Sequence, residues 1–380
     1  MAPSRSPRPD RAAAVVVCVP GLEDVVAAEL SALGITNRPA GAGALAARMT
    51  DRQLYLANVA LASATRVLVE AGEVTARSFA ALEDRVAAVD LGPWVAPGVA
   101  VRFRISSHRS RLVHTGAVEE RLRRVWRLGP APAPDVEAAL VVVRIDRDRF
   151  SFRVDSSGAP LHHRGWRGPA AKAPLRETVA AAVLTASGWQ PGQPLVDPFC
   201  GSGTLPIEAG RRAAGLAPGG SRSFAFTRWP SFAPGTWASV QAAARPPDDP
   251  PTPVAPLVAR DRDAGAVAAT AENAERAGVA SLVTVEHGAV SAAAPPECAD
   301  PGWIVANPPW GGRLQGGGDL RDLYARLGQV ARERFPGWGV ALLMADPRLA
   351  AATGLPGQVR LRTRAGPTPV SLVVTAPGAA

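Results

Sequence analysis

The stretch PLVDPFCGSGTLPIEAGRRAAG, residues 194–215, decides the fold class. A short apolar run reaches Asp197, passes a turn containing Gly201 and Gly203, and opens into an amphipathic helical pattern. Two glycines allow a tight turn and a close backbone approach to a ligand. An acid at the carboxyl end of a first strand stands where doubly wound sheets bind ligands. The loop is not the G-x-G-x-x-G of dinucleotide folds. Nor is it a phosphate-binding P-loop, which needs a lysine that this loop lacks. Taken alone, two glycines and an Asp also describe an ordinary capped strand-to-helix turn.

The neighbouring segments extend the pattern. PLVARDRDAGAVAATAENAERAG (256–278) repeats strand, acidic turn and helix; SLVTVEHGA (281–289), GWIVANPPW (302–310) and GVALLMADP (339–347) supply three more strands, and LRDLYARLGQVARERF (320–335) another helix. Alternating strands and helices imply a doubly wound parallel sheet, so residues 156–380 are expected to form an α/β Rossmann-like domain. Residues from about 215 to 256, aromatic first and proline-rich later, read as an insertion made of loop and linker.

Upstream the texture differs. A β-branched strand from Ala13 meets a Pro20-Gly21 turn and a helix with Leu22, Val25, Val26, Leu30 and Leu33 at helical spacing, ended by Gly34. Further short strands and helices follow, closing with two strands joined by a turn over Asp146 to Arg149. This is an α+β pattern, ferredoxin-like in part. The expected division is a disordered tail at 1–10, a ferredoxin-like region at 11–60, a second α+β region at 61–155, and the α/β domain.

Composition bounds the function. The 380 residues, 47% of them hydrophobic, suffice for two or three domains. The net charge of +9 favours an anionic partner, nucleic acid above all. Of 42 Lys and Arg only Lys172 is lysine, so a bias toward Arg accounts for part of the basicity and placement matters more than number. From Arg102 to Arg127 eight Arg and two His face only Glu119 and Glu120, which marks Arg102, Arg104, Arg109, Arg111, Arg123 and Arg124 as candidate RNA contacts; a solvated Arg-rich face is the equal alternative. Cys18, Cys200 and Cys298 form no C-x-x-C, His162 and His163 have no partner at metal-binding spacing, and no metal site is expected. Reduced cysteines, and the lack of a signal-peptide pattern or membrane-length apolar run, fit a cytoplasmic setting.

Three places carry chemistry. Asp197 and the glycine loop form the first. The second is Asp261, at the end of the next strand, where an acid hydrogen-bonds ribose hydroxyls; Asp263 competes for that role, and either also suits a helix N-cap. The third is Asn307-Pro308-Pro309-Trp310. Asn307 can accept one N–H of an exocyclic amine and the Pro308 carbonyl the other, aiming the nitrogen lone pair at a methyl donor. Trp310 offers a face for an extruded base, and the prolines stiffen the turn. Other methyl-transfer chemistries fit less well. Ribose methylation of the Lys-Asp-Lys-Glu kind needs two lysines, and C5 methylation needs a thiolate, whereas Cys200 lies inside the loop.

DPFCGSGTLPIEA with NPPWGGRL resembles the amino-methylating class I S-adenosylmethionine-dependent methyltransferases, specifically the RNA guanine-N2 branch with an N-terminal THUMP domain. LHHRGWRGPAAKAPLRETVAAAVL, RSFAFTRWPSF and PGLEDVVAAEL extend the resemblance over nearly the whole chain. It implies that residues 61–155 are THUMP-like. It also implies that Asp197, Gly201 and Gly203 hold the methionine part of S-adenosylmethionine, Asp261 its ribose, and Asn307 to Trp310 the target base, with Ser202, Thr204, Arg262, Ala289 and Asn307 as further cofactor contacts. Glu177 and Lys172 are further pocket candidates, with cap and surface roles as alternatives. Where relatives carry Gly-Asp-Ala after the third strand this chain has His287-Gly288-Ala289, so adenine recognition is expected to come from backbone or from His287, or to be weaker. The expected substrate is guanine N2 in 23S rRNA, with tRNA second. Adenine N6 is the chemical rival, and a noncatalytic RNA-binding assembly factor the rival from another class.

Overall fold

The structure is a computed structural model that describes residues 11–168, 174–246, 255–297, 300–310 and 319–379. Its first half runs β1 (Ala12–Cys18), α1 (Glu23–Ala32), β2 (Asn37–Pro39), β3 (Ala44–Met49), α2 (Asp51–Ala60), β4 (Ala64–Thr75), α3 (Phe79–Val86), β5 (Val101–His108), α4 (Thr115–Val125), β6 (Ala139–Asp146) and β7 (Arg149–Asp155). Its second half runs α5 (Glu177–Ser187), β8 (Leu195–Asp197), α6 (Thr204–Ala213), α7 (Pro234–Ala243), β9 (Leu257–Asp261), α8 (Ala264–Arg276), β10 (Val283–His287), β11 (Trp303–Ala306), α9 (Leu320–Arg334), β12 (Gly339–Met344), α10 (Arg348–Ala352), β13 (Gln358–Ala365) and β14 (Thr368–Thr375).

One seven-stranded sheet, β2-β3-β1-β4-β7-β6-β5, spans the first half. Its β1–α1–β2–β3–α2–β4 part is the ferredoxin-like split βαβ arrangement. A boundary at residue 60 falls inside this unit, because β4 pairs with β1 on one edge and with β7 on the other. Leu68 and Val69 pair with both partners, and a register shift follows between Glu70 and Gly72 where β4 runs on along β7. The two upstream regions thus share a sheet. α2 starts at a capping box in which Thr50 and Gln53 exchange side-chain and backbone hydrogen bonds.

The second sheet, in order β10-β9-β8-β11-β12-β14-β13, is parallel from β10 to β12. Its central strands are buried on both faces, and alternate residues feed two cores. Leu195, Trp303, Val305, Ala341 and Leu343 join the α5–α6 side, while Val196, Ile304, Ala306, Val340 and Leu342 pack with Tyr324, Leu327 and Val330 of α9. The strands expected from sequence end at β12; the structure adds the antiparallel hairpin β13–β14, turned at Gly366, which closes that edge.

The insertion differs from the expected loop and linker. Phe224 and Phe226 stack, Trp237 of α7 meets both edge to face, and Phe226 lies on Tyr55 of α2 with ring centroids 4.3 Å apart. Aromatic burial of this size makes the segment part of the contact between the halves. Its proline-rich end, 247–254, lies outside the described residues, as do the tail 1–10, Lys172 and Cys298.

The halves also meet through buried polar groups. Asn58 donates to Leu54 O and Ser156 Oγ at 2.9 Å and accepts from Ser157 Oγ at 2.7 Å. Arg164 reaches across to the carbonyl of Ala62 at 2.5 Å. Gly21 adopts φ +92 where a Cβ would stand 1.9 Å from the Arg362 carbonyl oxygen, so only glycine allows this approach to β13. Asn58→Ala is expected to leave the Ser157 hydroxyl without its buried acceptor and to lower stability by about 1–3 kcal/mol in urea unfolding; an unchanged midpoint would show that this contact does not bind the halves.

Candidate active site

β8 delivers Asp197 to the centre of the sheet, between β9 and β11, with only 1% of its surface exposed. The Phe199 N–H donates to its carboxylate at 3.0 Å. The chain then turns through Gly201 (φ 56) and Gly203 (φ 84), both in the left-handed region. A Cβ on Gly203 would come within 2.7 Å of Thr270 Cγ2, so glycine there lets the start of α6 lie against α8. A Cβ on Gly201 would meet nothing within 4 Å: that side of the loop is open.

The two acids after β9 separate in role. Asp261 accepts from the Gly201 N–H at 2.9 Å and from the Asp263 N–H at 3.0 Å, tying the second strand to the glycine loop. Asp263 caps α8, accepting from Gly265 and Ala266.

A residue not singled out by sequence reasoning holds this assembly. Arg167 donates to Glu177 Oε1 (2.8 Å), Ser202 Oγ (2.9 Å), Thr204 Oγ1 (2.9 Å) and the Leu175 carbonyl (3.1 Å). Its planar fork suits such simultaneous bonding. Glu177 is buried as Arg167's partner. On the far side Asn273 donates to Ser202 O at 2.9 Å and Thr270 to Gly201 O at 2.8 Å. The signal in the sequence is the RGWRG run, but nothing local to it identifies a partner 35 residues away.

Two cavities open at the carboxyl edge. One, of about 400 Å³, is lined by Phe199, Asp261, Arg262, Ala289, Asn307 and Trp310 among others, including Pro308 and Pro309. The other, of about 480 Å³, includes Asp197, Gly201, Ser202, Thr204, Asp263 and Asn307. They share Phe199 and Asn307. Asp197, Gly201, Ser202, Thr204, Asp261, Arg262, Ala289 and Asn307 to Trp310 each line one cavity or both, whereas Gly203 acts through packing and Glu177 lines neither. His287 lines neither; its Nε2 lies 3.0 Å from the Arg262 carbonyl, and at this edge Ala289 is in the lining.

The Asn307 side chain is already engaged. The Trp310 indole N–H donates to Asn307 Oδ1 at 2.7 Å, and buried Tyr324 donates to Pro309 O at 3.3 Å. The turn is held from inside by α9. The glycines that follow Trp310 lie outside the described residues.

The Arg candidates divide. Arg102 gives its guanidinium to the carbonyls of Ala133, Pro134 and Val136, and Arg123 to Glu119, Gly129 O and Val101 O, while covering the Phe103 ring. These two brace the fold instead of standing ready for phosphate. Arg124 sits by Glu83 and Glu120 at 3.4 Å. Arg104, Arg109 and Arg111 are exposed. The patch is thinner than its count of arginines, because α4 carries its own acids.

Burial sets the titration of the site. It pushes Asp197 up to about 8, with the Asp261 carboxylate adding to the rise and the Phe199 N–H opposing it. Burial also raises the Cys200 thiol, which contacts Thr270 Oγ1, so no thiolate nucleophile forms near neutral pH. For Asp197 the folded value lies above the unfolded one. Its contribution to stability is therefore full below about pH 4 and falls as pH rises through about 8. Urea unfolding between pH 5 and 8 is expected to show that loss in the ligand-free protein, and Asp197→Asn to flatten it; identical profiles would refute the buried neutral acid.

Known proteins share this fold. The family model described as RMKL-like, methyltransferase domain, matches residues 164–369, and the RlmL ferredoxin-like domain matches residues 14–68. Ribosomal RNA large subunit methyltransferase K/L of Chromohalobacter salexigens is 33% identical over 376 residues, covering 94% of this chain and 51% of that protein. The chain thus spans about half the length of the curated relative it matches. Among solved structures, SMU.472, described as a methyltransferase and complexed with SAH, is 25% identical with a TM-score of 0.83, over 97% of this chain and 99% of that one. A Listeria monocytogenes protein described as an N6-adenine-specific DNA methylase is 27% identical with a TM-score of 0.82, over 95% and 96%. The match over more than half of the residues, on the sheet that carries both cavities, places the chain in the RMKL-like methyltransferase-domain family.

Proposed function

We propose that the protein transfers a methyl group from S-adenosylmethionine to the exocyclic N2 of a guanine in RNA, the large-subunit 23S rRNA first. The observation that carries this is the place of Asn307, in the wall common to two cavities at the end of β11. The names of the relatives support the cofactor and RNA, and the resemblance of NPPW supports the amine.

The residues present fit that cofactor. Asp197 is a buried acid that the ligand-free site keeps neutral, and the groups that set its titration include no cation, so an arriving ammonium group would favour its carboxylate form. Asp261 keeps lone pairs beyond the two backbone donors it accepts, suited to ribose hydroxyls. The open side of Gly201, with Ser202 and Thr204, borders the methionine end, and Arg262 and Ala289 border the nucleoside end. S-adenosylmethionine supplies a methyl on a good leaving group, so the protein's task is placement.

Placement falls to the turn. One lone pair of Asn307 Oδ1 takes the Trp310 indole N–H; the other is free to accept an amine N–H, while the Pro308 carbonyl accepts the second. The nitrogen lone pair is then directed away from both acceptors. Trp310, fixed by the same hydrogen bond, presents its ring to the base. Phe199 and Leu323 supply apolar walls that exclude water. Residues 61–155, as a THUMP-like region, and the exposed Arg104, Arg109 and Arg111 would grip RNA outside the pocket.

Adenine N6 is the second reading, favoured by the Listeria relative's description. Incubation with unmodified rRNA and tRNA and labelled S-adenosylmethionine, followed by nucleoside mass spectrometry, separates the two. Labelled N2-methylguanosine in the large rRNA is expected; N6-methyladenosine would replace the base assignment, label in tRNA the substrate, and no label with no cofactor binding the enzyme reading itself. Asn307→Ala is expected to lower kcat by about 10³-fold or more while cofactor affinity stays within a few fold. Trp310→Phe keeps an aromatic face and removes the donor, so kcat should fall by roughly tenfold, the worth of about one hydrogen bond; full activity would show that the indole N–H does not orient Asn307.

A further inference from the structure

The loop that carries Arg167 also builds a third cavity, of about 420 Å³, lined by His162, His163, Arg164, Arg167, Arg176 and Glu177 among others. It shares Pro174 and Leu175 with the cavity that holds Asp197 and Asn307. The two histidines stand edge to face with centroids 4.4 Å apart, and buried His162 Nδ1 has no hydrogen-bond partner among the described residues. That nitrogen is shut off from solvent, so His162 supports the wall of the cavity and His163, exposed beside it, is the ring within reach of a ligand.

The charge around this cavity is positive. Arg66, Arg164 and Arg167 have carboxylate partners in Asp155, Glu208 and Glu177. Arg222, behind the lining, fastens the loop by donating to the carbonyls of Ser157, Ala159, Pro160 and His163, and Asp155 offsets part of its charge. Arg176 stands exposed at the rim, at the start of α5, with no capping bond of its own. The single acid in the lining, Glu177, is already occupied by Arg167. Burial lowers both histidines, and the surrounding guanidinium groups lower them further, which keeps the rings neutral and able to donate one N–H each. No group of three or more His, Cys, Asp and Glu able to hold a metal occurs among the described residues, so these histidines do not read as a metal site.

We propose that this cavity is an anion site that takes a backbone phosphate of the RNA strand whose base enters the adjoining catalytic cavity. A polyanion suits it for two reasons: a net positive lining with Arg176 and His163 exposed, and a wall in common with the cofactor cavity. A phosphate held there tethers the nucleotide next to, or near, the extruded one and so limits where the base can go. Arg167 would then join two tasks, bracing the glycine loop on one side and bordering the phosphate on the other. This rests on RNA being the substrate, which the test examines separately.

The test compares wild type, His163→Ala and Arg176→Gln, using an unmodified 23S rRNA transcript and S-adenosylhomocysteine as probes. Each variant is expected to raise the Kd for the transcript by about tenfold, and Arg176→Gln to lower the slope of log Kd against log salt by about one. The Kd for S-adenosylhomocysteine should stay unchanged, which also reports an intact fold. Unchanged transcript affinity and salt slope, with a wild type that binds and methylates the transcript, would overturn the phosphate site alone. A parallel loss of S-adenosylhomocysteine affinity would overturn it too, by assigning the cavity to the cofactor. A wild type that neither binds nor methylates the transcript overturns both this site and the substrate beneath it.

Discussion

The close approach of α6 to α8 at Gly203 is the constraint on which the site depends. With φ 84 and no Cβ, this residue lets the glycine loop settle onto Thr270, 2.7 Å from where a side-chain carbon would begin. Thr270 and Asn273 then take the carbonyls of Gly201 and Ser202, and Asp261 takes the Gly201 N–H. The backbone polar groups of the turn are satisfied from behind, so its open face is left for a ligand. A larger residue at 203 would move the loop, and with it the wall of the cavity that contains Asp197.

That loop is also locked to the segment that precedes the α/β sheet. Arg167 joins Ser202 and Thr204 to Glu177 and Leu175, while Arg164, three residues earlier, reaches Ala62 in the front half. One short segment therefore touches the glycine loop, α5 and the ferredoxin-like unit. Buried polar groups of this kind specify an arrangement because any other leaves them unpaired. The front half is attached to the second half through Asn58, Ser156, Ser157 and the aromatic rings of the insertion, which gives its surface a defined relation to the pocket.

Much of the site is legible in the amino-acid sequence. Asp197, Asp261 and Asn307 lie at strand ends, and strand ends can be read from an apolar run that meets an acid, a glycine or a proline. The parallel order of the core strands follows from their alternation with helices. Less legible is the hairpin β13–β14, since a two-stranded antiparallel edge breaks that alternation. The insertion reads as a linker because proline dominates its composition, whereas its aromatic residues become meaningful only with Tyr55 beneath them. The Arg-rich stretch promises more free cations than it delivers, because charge alone does not reveal that carbonyls from 129 to 136 absorb Arg102 and Arg123.

The sequence by itself determined the α/β class, the glycine turn, the paired acids and the Asn-Pro-Pro-Trp terminus, because each depends on the conformational limits of a few adjacent residues. Tertiary structure alone decided that Asp263 caps a helix while Asp261 ties the loop, and that His287 turns from the cavity. It also decided that Trp310 bonds Asn307 and that Arg167 clamps the site. Those outcomes depend on which donor reaches which acceptor once distant segments pack, and a hydrogen bond is sensitive to distance and angle in a way that spacing along the chain does not encode.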